Sequence, residues 1–175
     1  MTKVKFAMLM TVCIAFFIAS LCSAKSNPST SSSDQMFVKE AAEGGMAEVE
    51  LGQLALEKGS SDAVKQFGQR MVNDHGQANE KLKALASTKG IQLPAKPGAK
   101  DKATKARLSK MSGTSFDRAY MKDMLADHQK DIAAFQKESR SGSDPEIKQF
   151  ASETLPTLQD HLKQAQGIGT GGGTQ

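Results

Sequence analysis

Cysteine, tryptophan and tyrosine are almost missing from this 175-residue chain, and each shortage closes off a class of function. Its two cysteines, Cys13 and Cys22, both fall near the start, so the rest of the chain has no thiolate for catalysis or metal ligation and no disulfide to hold a small fold together. One tyrosine, no tryptophan and no basic cluster interleaved with aromatics leave nucleic-acid binding unsupported. Long hydrophobic runs are also scarce. The one present, Phe6 to about Leu21, is shorter than the roughly 20 residues a spanning helix needs. Lys3 and Lys5 precede it and small residues around Ala24 follow, which is the layout of a secretory signal peptide over residues 1–24. Cys22 would instead be a lipid anchor, but Ala19, Ser20 and Leu21 make a poor lipidation box. Cleavage after Ala24 removes both cysteines and two lysines and lowers the formal charge from +4 to +2. The expected mature protein is periplasmic or otherwise extracytoplasmic, has no transmembrane helix, and meets an unknown protein or envelope partner.

What remains is helical. Residues 25–33 and 167–175 are Ser-rich and Gly-rich, and are expected to be a flexible linker and a disordered tail. Between them, apolar residues recur at spacings of three and four, never in strand-like alternation. The pattern predicts four main helices: about Asp34, which reads as an N-cap, to Lys58, Asp62 to Gly90, Ser115 to Glu138, and Asp144 to Gln166. Asp144 followed by Pro145 reads as an N-cap and a first helical position, whereas Pro156 inside the last helix is expected to kink it. The connector between the second and third helices, IQLPAKPGAKD then KATKARLSKM, carries a short helix and is long enough to travel the length of a bundle. The fold class is therefore all-α: a ferritin-like four-helix bundle with one crossover connection over residues 34–166. An up-and-down bundle with an elaborated loop is the alternative.

The three histidines of the chain share a local frame, MVNDH, MLADH and TLQDH, at residues 71–75, 124–128 and 157–161. At about 100° per residue, His75, His128 and His161 fall on or beside the apolar stripe of their helices, while Asp74, Asp127 and Asp160 stand on the flanks. The first helix has no histidine, but its face of small residues, Ala41, Gly44, Gly52 and Ala55, is centred on Glu48. Glu48, His75 and His128 lie at similar heights, and His161 is about 5 Å off level. A single inward histidine is ordinarily a hydrogen-bonded core residue, and each flank aspartate is either solvated or orients a histidine of the next helix. Four inward polar groups without a basic counter-charge are harder to satisfy, because each unpartnered buried group costs a few kcal/mol. Glu48 must be protonated, paired with a charged histidine, or bound to a metal.

The candidate ligand set is thus Glu48, His75, His128 and His161. Asp131, Met71 and Met124, each one turn from a histidine, are additional or secondary candidates. Imidazoles with a carboxylate suit one transition metal, zinc, iron, manganese or copper, without choosing among them. Methionine thioethers would bias the choice to copper, although methionine at helical spacing ordinarily packs the core.

The run GGMAEVELGQLALEKGSSDAVKQFGQRMVNDHGQANEKLKALA, followed by FDRAYMKDMLADHQKDIAAFQKE and LPTLQDHLKQA, resembles the bacterial domain of unknown function family 4142. The resemblance covers residues 34–166. It implies an exported, ferritin-like helical bundle, of a kind often labelled a membrane or outer-membrane protein, and no established activity. Di-iron carboxylate chemistry is disfavoured, because the positions three before the histidines are Val72, Leu125 and Leu158 where glutamates would be needed. With no defensible Ser/His/Asp order, no thiol and no phosphate or cofactor motif, an enzyme is the weakest reading. A metal-holding bundle is the leading expectation. The alternative is a metal-free structural or stress-linked envelope module with a buried His/Glu hydrogen-bond network.

Overall fold

The computed structural model describes residues 30–169, so the expected signal peptide and most of the Gly-rich tail lie outside the described residues. Five helices and no strands are present among them: α1 (Ser32–Lys58), α2 (Asp62–Thr88), α3 (Ala99–Leu108), α4 (Gly113–Ser141) and α5 (Pro145–Gly169). None is long and apolar enough to cross a membrane.

Each long helix starts and stops where side-chain chemistry permits. Ser31, within the stretch expected to be linker, caps α1, and Asp34 is not the N-cap but the reciprocal partner of a capping box. Asp34 is more valuable there, since its carboxylate also accepts from the backbone N–H groups of Ser143 and Asp144 and ties the α4–α5 turn to the start of α1. Ser61 caps α2. The far end of α2 closes at Gly90, whose φ of 66° allows the Ile91 N–H to reach the Ala86 carbonyl in a Schellman stop. Asp144 caps α5 as expected, accepting from Glu146 and Ile147 N–H while pairing with Lys89 at 2.9 Å. The last helix runs unbroken through Pro156 and three residues past Gln166.

The same contacts settle the topology. Lys89 and Asp34 place the end of α2, the start of α1 and the α4–α5 turn at one end of the bundle. At the other end, Asp117 near the start of α4 accepts from Ser60 and Ser61 N–H in the α1–α2 turn. The start of α4 therefore lies with the start of α2, and the connector crosses the length of the bundle, as the ferritin-like reading expects. It does so over α1 and α4, anchored by the fully buried Leu108 and by the pairs Lys105–Glu50 and Arg107–Asp123.

Two apolar cores fill the interior. One contains Leu54, Phe67, Met71, Tyr120 and Met124; the other contains Phe37, Leu82, Phe135, Ile147 and Leu158. Along every long helix, the polar residue singled out by sequence falls between members of the two: Glu48 between Ala42 and Leu51, His75 between Met71 and Leu82, His128 between Met124 and Phe135, His161 between Leu158 and Ala165. The bundle is a sandwich of two dry layers around one polar layer. Close approach of α1 and α2 near this layer depends on Gly52 and Gly68, since a Cβ on Gly52 would stand 2.6 Å from the Gly68 carbonyl oxygen.

Candidate metal centre

The polar layer is compact and buried. Glu48, His75, His128 and His161 are all buried, and the three imidazole rings have centroids 5.2–5.6 Å apart. One ring nitrogen from each histidine lies within 4.8 Å of those of the other two. Convergence of the histidines, expected from their heights, is present.

Proton positions follow from what each ring touches. His128 Nδ1 is 2.9 Å from the Met124 carbonyl oxygen, which can only accept, so Nδ1 carries the hydrogen and Nε2 is left with a lone pair. His161 Nε2 is 2.8 Å from Asp74 Oδ2. Burial pushes the Asp74 carboxyl up, but hydrogen bonds from His161 and Arg70 bring it net below its ordinary value, so it is ionised and His161 Nε2 donates. His161 Nδ1 then holds the lone pair. His75 donates through Nδ1 to Glu48 Oε2 at 2.8 Å, and its Nε2 is buried with no hydrogen-bond partner.

His128 Nε2 and His161 Nδ1 are 3.2 Å apart, so two lone pairs face each other across a hydrogen-bond distance. Burial lowers the pKa of both rings, that of His161 to about 4, with like-charge repulsion from the neighbouring histidines adding to the effect. A proton is therefore a poor bridge at neutral pH. The separation is close to the roughly 3.3 Å between two nitrogens bound to one ion at about 2.0–2.1 Å and a near-tetrahedral angle.

Each histidine keeps its outer nitrogen engaged: His75 on Glu48, His128 on a backbone carbonyl, His161 on Asp74. That is how metal-binding imidazoles are oriented and made more basic. Glu48 is placed differently from the equal fourth ligand expected. Oε2 is committed to His75, while Oε1 is 3.6 Å from His128 Nδ1, buried and without a hydrogen-bond partner. Burial raises the Glu48 carboxyl, and the charge and hydrogen bond of His75 bring it net down. Burial likewise lowers His75, and Glu48 brings it net up. The two form a charge pair, one of the three fates open to a buried glutamate, and a metal ion at His75 Nε2 would displace the proton held there.

The remaining candidates separate. Asp131 does not join the histidine nitrogens; it lines a cavity beside Glu48 and is pushed up to about 7 by burial and by the Glu48 charge. Met71 and Met124 are fully buried members of one apolar core, and Met124 meets the site through its carbonyl. The three Asp-His frames have three different outcomes. Asp74 orients His161 across the α2–α5 interface, Asp127 stands 3.9 Å from Lys100, and the exposed Asp160 lies 3.9 Å from Arg70. Arg70 escaped the sequence reading. It bonds Asp74 at 3.1 Å and Gln164 at 3.1 Å, holding the carboxylate that holds His161. Its spacing one turn before Asp74 marked an ordinary helical ion pair, and nothing in the sequence tied that pair to another helix.

Residues 19–168 match the family described as Domain of unknown function (DUF4142). No curated protein sequence matches the chain. Among solved structures, the chain is similar to a DUF305 fragment from Deinococcus radiodurans, with 15% identity and a TM-score of 0.72 over 81% of this chain and 97% of that one. It is also similar to CopM in the Cu(I)-bound form, with 14% identity and a TM-score of 0.66 over 81% of this chain and 98% of that one. The Cu(II)-bound form of CopM matches with 14% identity and a TM-score of 0.64 over 79% of this chain and 96% of that one. At these identities the similarity shows the helical fold.

Proposed function

This chain belongs to the DUF4142 family, and on that premise we propose that it is an exported helical-bundle protein that holds one transition-metal ion through His75 Nε2, His128 Nε2 and His161 Nδ1. The observation that carries the reading is the pair of facing lone pairs on His128 and His161, 3.2 Å apart in a buried layer, with the outer nitrogen of every histidine engaged as a donor. Glu48 and Asp74 orient the rings and supply negative charge near a cation, and Arg70 positions Asp74. Copper is the favoured metal. Imidazole donors suit it, it stands highest in the divalent affinity order, and the fold is shared with a protein solved in Cu(I)- and Cu(II)-bound forms. Without a nucleophile or a second cofactor motif, the proposed role is holding or transferring the ion.

Copper titration of the metal-free protein, with bound metal counted after gel filtration, tests this. One equivalent is expected in the parent, with affinity lower by about 100-fold or more in His128→Ala, because one of three ligands is gone. Sub-stoichiometric metal in both would reject the reading. The Glu48–His75 pair at 2.8 Å supports a second one, a metal-free network that stabilises an envelope module. In that case a chelator leaves the melting temperature unchanged at neutral pH, whereas the metal reading expects it to fall when a chelator strips metal-loaded protein.

A further inference from the structure

A cavity of about 320 Å³ opens beside the histidine layer. At its outer side are the exposed residues Glu40, Lys100 and Lys130; at its inner side are the buried Glu48 and His75. Those last two contribute the buried polar atoms Glu48 Oε1 and His75 Nε2, neither of which has a hydrogen-bond partner. Six carboxylate residues line the space against two lysines and the His75 paired with Glu48, so its charge favours a cation. The volume holds several waters. In other directions the layer is bounded above and below by the two apolar cores. A smaller cavity of about 120 Å³ runs past Asp74 and His161 on the α2–α5 side.

Gly44 lines the larger cavity in the middle of α1, a position where glycine costs a helix about 1 kcal/mol relative to alanine. Neither packing nor backbone conformation demands it. A Cβ there would meet nothing within 4 Å, and its φ is that of the surrounding helix. What the missing side chain leaves is open space on the path from solvent to Glu48.

We infer that this cavity is the port through which a hydrated transition-metal cation reaches the three histidines, that Glu48 Oε1 is the carboxylate oxygen it meets at the inner end, and that Gly44 keeps the passage open. The inference rests on the metal-holding reading. It adds a kinetic function to Gly44, which has no side chain in the bound state, and to Glu48 Oε1, the carboxylate oxygen that does not hold His75. Water is shed progressively along an acid-lined path, and the ion passes to the histidine nitrogens with Glu48 still holding His75 through Oε2.

Filling the port separates kinetics from affinity. Metal-free parent, Gly44→Ala, Gly44→Leu and Gly76→Leu are mixed rapidly with Cu(II), and loading and chelator-driven release are followed by absorbance. Gly76 is the control, since it too has nothing within 4 Å of a Cβ but lines a different groove, on the outside of α1 and α2. Gly44→Leu is expected to slow loading and release together by about tenfold or more with the equilibrium affinity within about twofold, because a blocked path raises one barrier for both directions. Gly44→Ala should fall between, and Gly76→Leu should match the parent. Circular dichroism checks folding; should Gly44→Leu not fold, Gly44→Ala, which improves helix propensity, decides with a smaller slowing. Unchanged rates in folded Gly44 variants of a parent that binds one copper would overturn the port and leave the histidine site standing, with the α2–α5 cavity as the route. A parent that binds no copper would overturn both.

Discussion

Glu48→Ala is expected to lower the unfolding free energy by about 2–4 kcal/mol and the metal affinity by about 10- to 100-fold. Both effects come from one hydrogen bond. In the metal-free protein, Glu48 accepts His75 Nδ1–H at 2.8 Å with both side chains buried, so truncation strands that donor and leaves a space the size of the lost carboxylate. His75 limits the damage by giving up its charge, which a lysine or arginine in its place could not do as readily. With metal bound, the same truncation lets the ring rotate away from the position that aims Nε2 at its two neighbours. Glu48→Gln keeps an acceptor for Nδ1–H while removing the charge. It should recover most of the stability and part of the affinity. Denaturant unfolding and copper competition on the same preparations measure both quantities, and equal losses in the two variants would show that charge, not orientation, is the contribution of Glu48.

Asp131→Asn should act in the opposite direction. Burial and the charge of Glu48 raise Asp131 to about 7 in the folded protein, against an ordinary value of 3.8. Between those values the unfolded chain has released a proton that the folded chain retains, so this group's contribution to stability falls as pH rises from about 4 to about 7. Asparagine carries no such charge. The metal-free Asn variant is expected to be more stable than the parent by about 1–3 kcal/mol at pH 8, with the gain gone near pH 4. Two of the histidines slope the other way, while His75, raised by Glu48, slopes with Asp131. His161 takes a proton near 6.5 when unfolded and only at about 4 when folded, so its contribution is lost as pH falls through that window, and burial shifts His128 in the same direction. In the parent these slopes oppose and flatten the profile; in Asp131→Asn the loss of stability with rising pH should shrink, with His75 and Glu138, both raised in the fold, retaining part of it. Urea midpoints of both proteins from pH 4 to 8 supply the comparison. An Asn variant no more stable at pH 8 would mean that Asp131 is solvated and ionised in the fold.

Helix periodicity located all four long helices because their apolar faces are continuous. The long connector implied a crossover because two short turns left no other chain to span the bundle. Boundaries shifted where tertiary contacts recruited a side chain: Asp34 looked like a cap because aspartates are good caps, but Ser31 performs that task and Asp34 holds the distant α4–α5 turn. The inward histidines could be read from one helix at a time, since facing the core is a property of a single stripe. Roles could not be assigned that way. Whether Glu48 is a ligand or an acceptor, and which aspartate of the three frames touches a histidine, depends on how neighbouring helices are rotated and how far they are offset. That offset is set by contacts such as Gly52 against Gly68. The Met124 carbonyl was invisible for a simpler reason, since every residue has one.

The central claim is that three imidazoles, one each from α2, α4 and α5, meet at a single metal ion. Electron spin echo spectroscopy of the Cu(II)-loaded protein counts coordinated imidazoles through their remote nitrogens. The account predicts three, falling to two in each of His75→Ala, His128→Ala and His161→Ala. A count of one or none in the parent, or one unaltered by these substitutions, would contradict it.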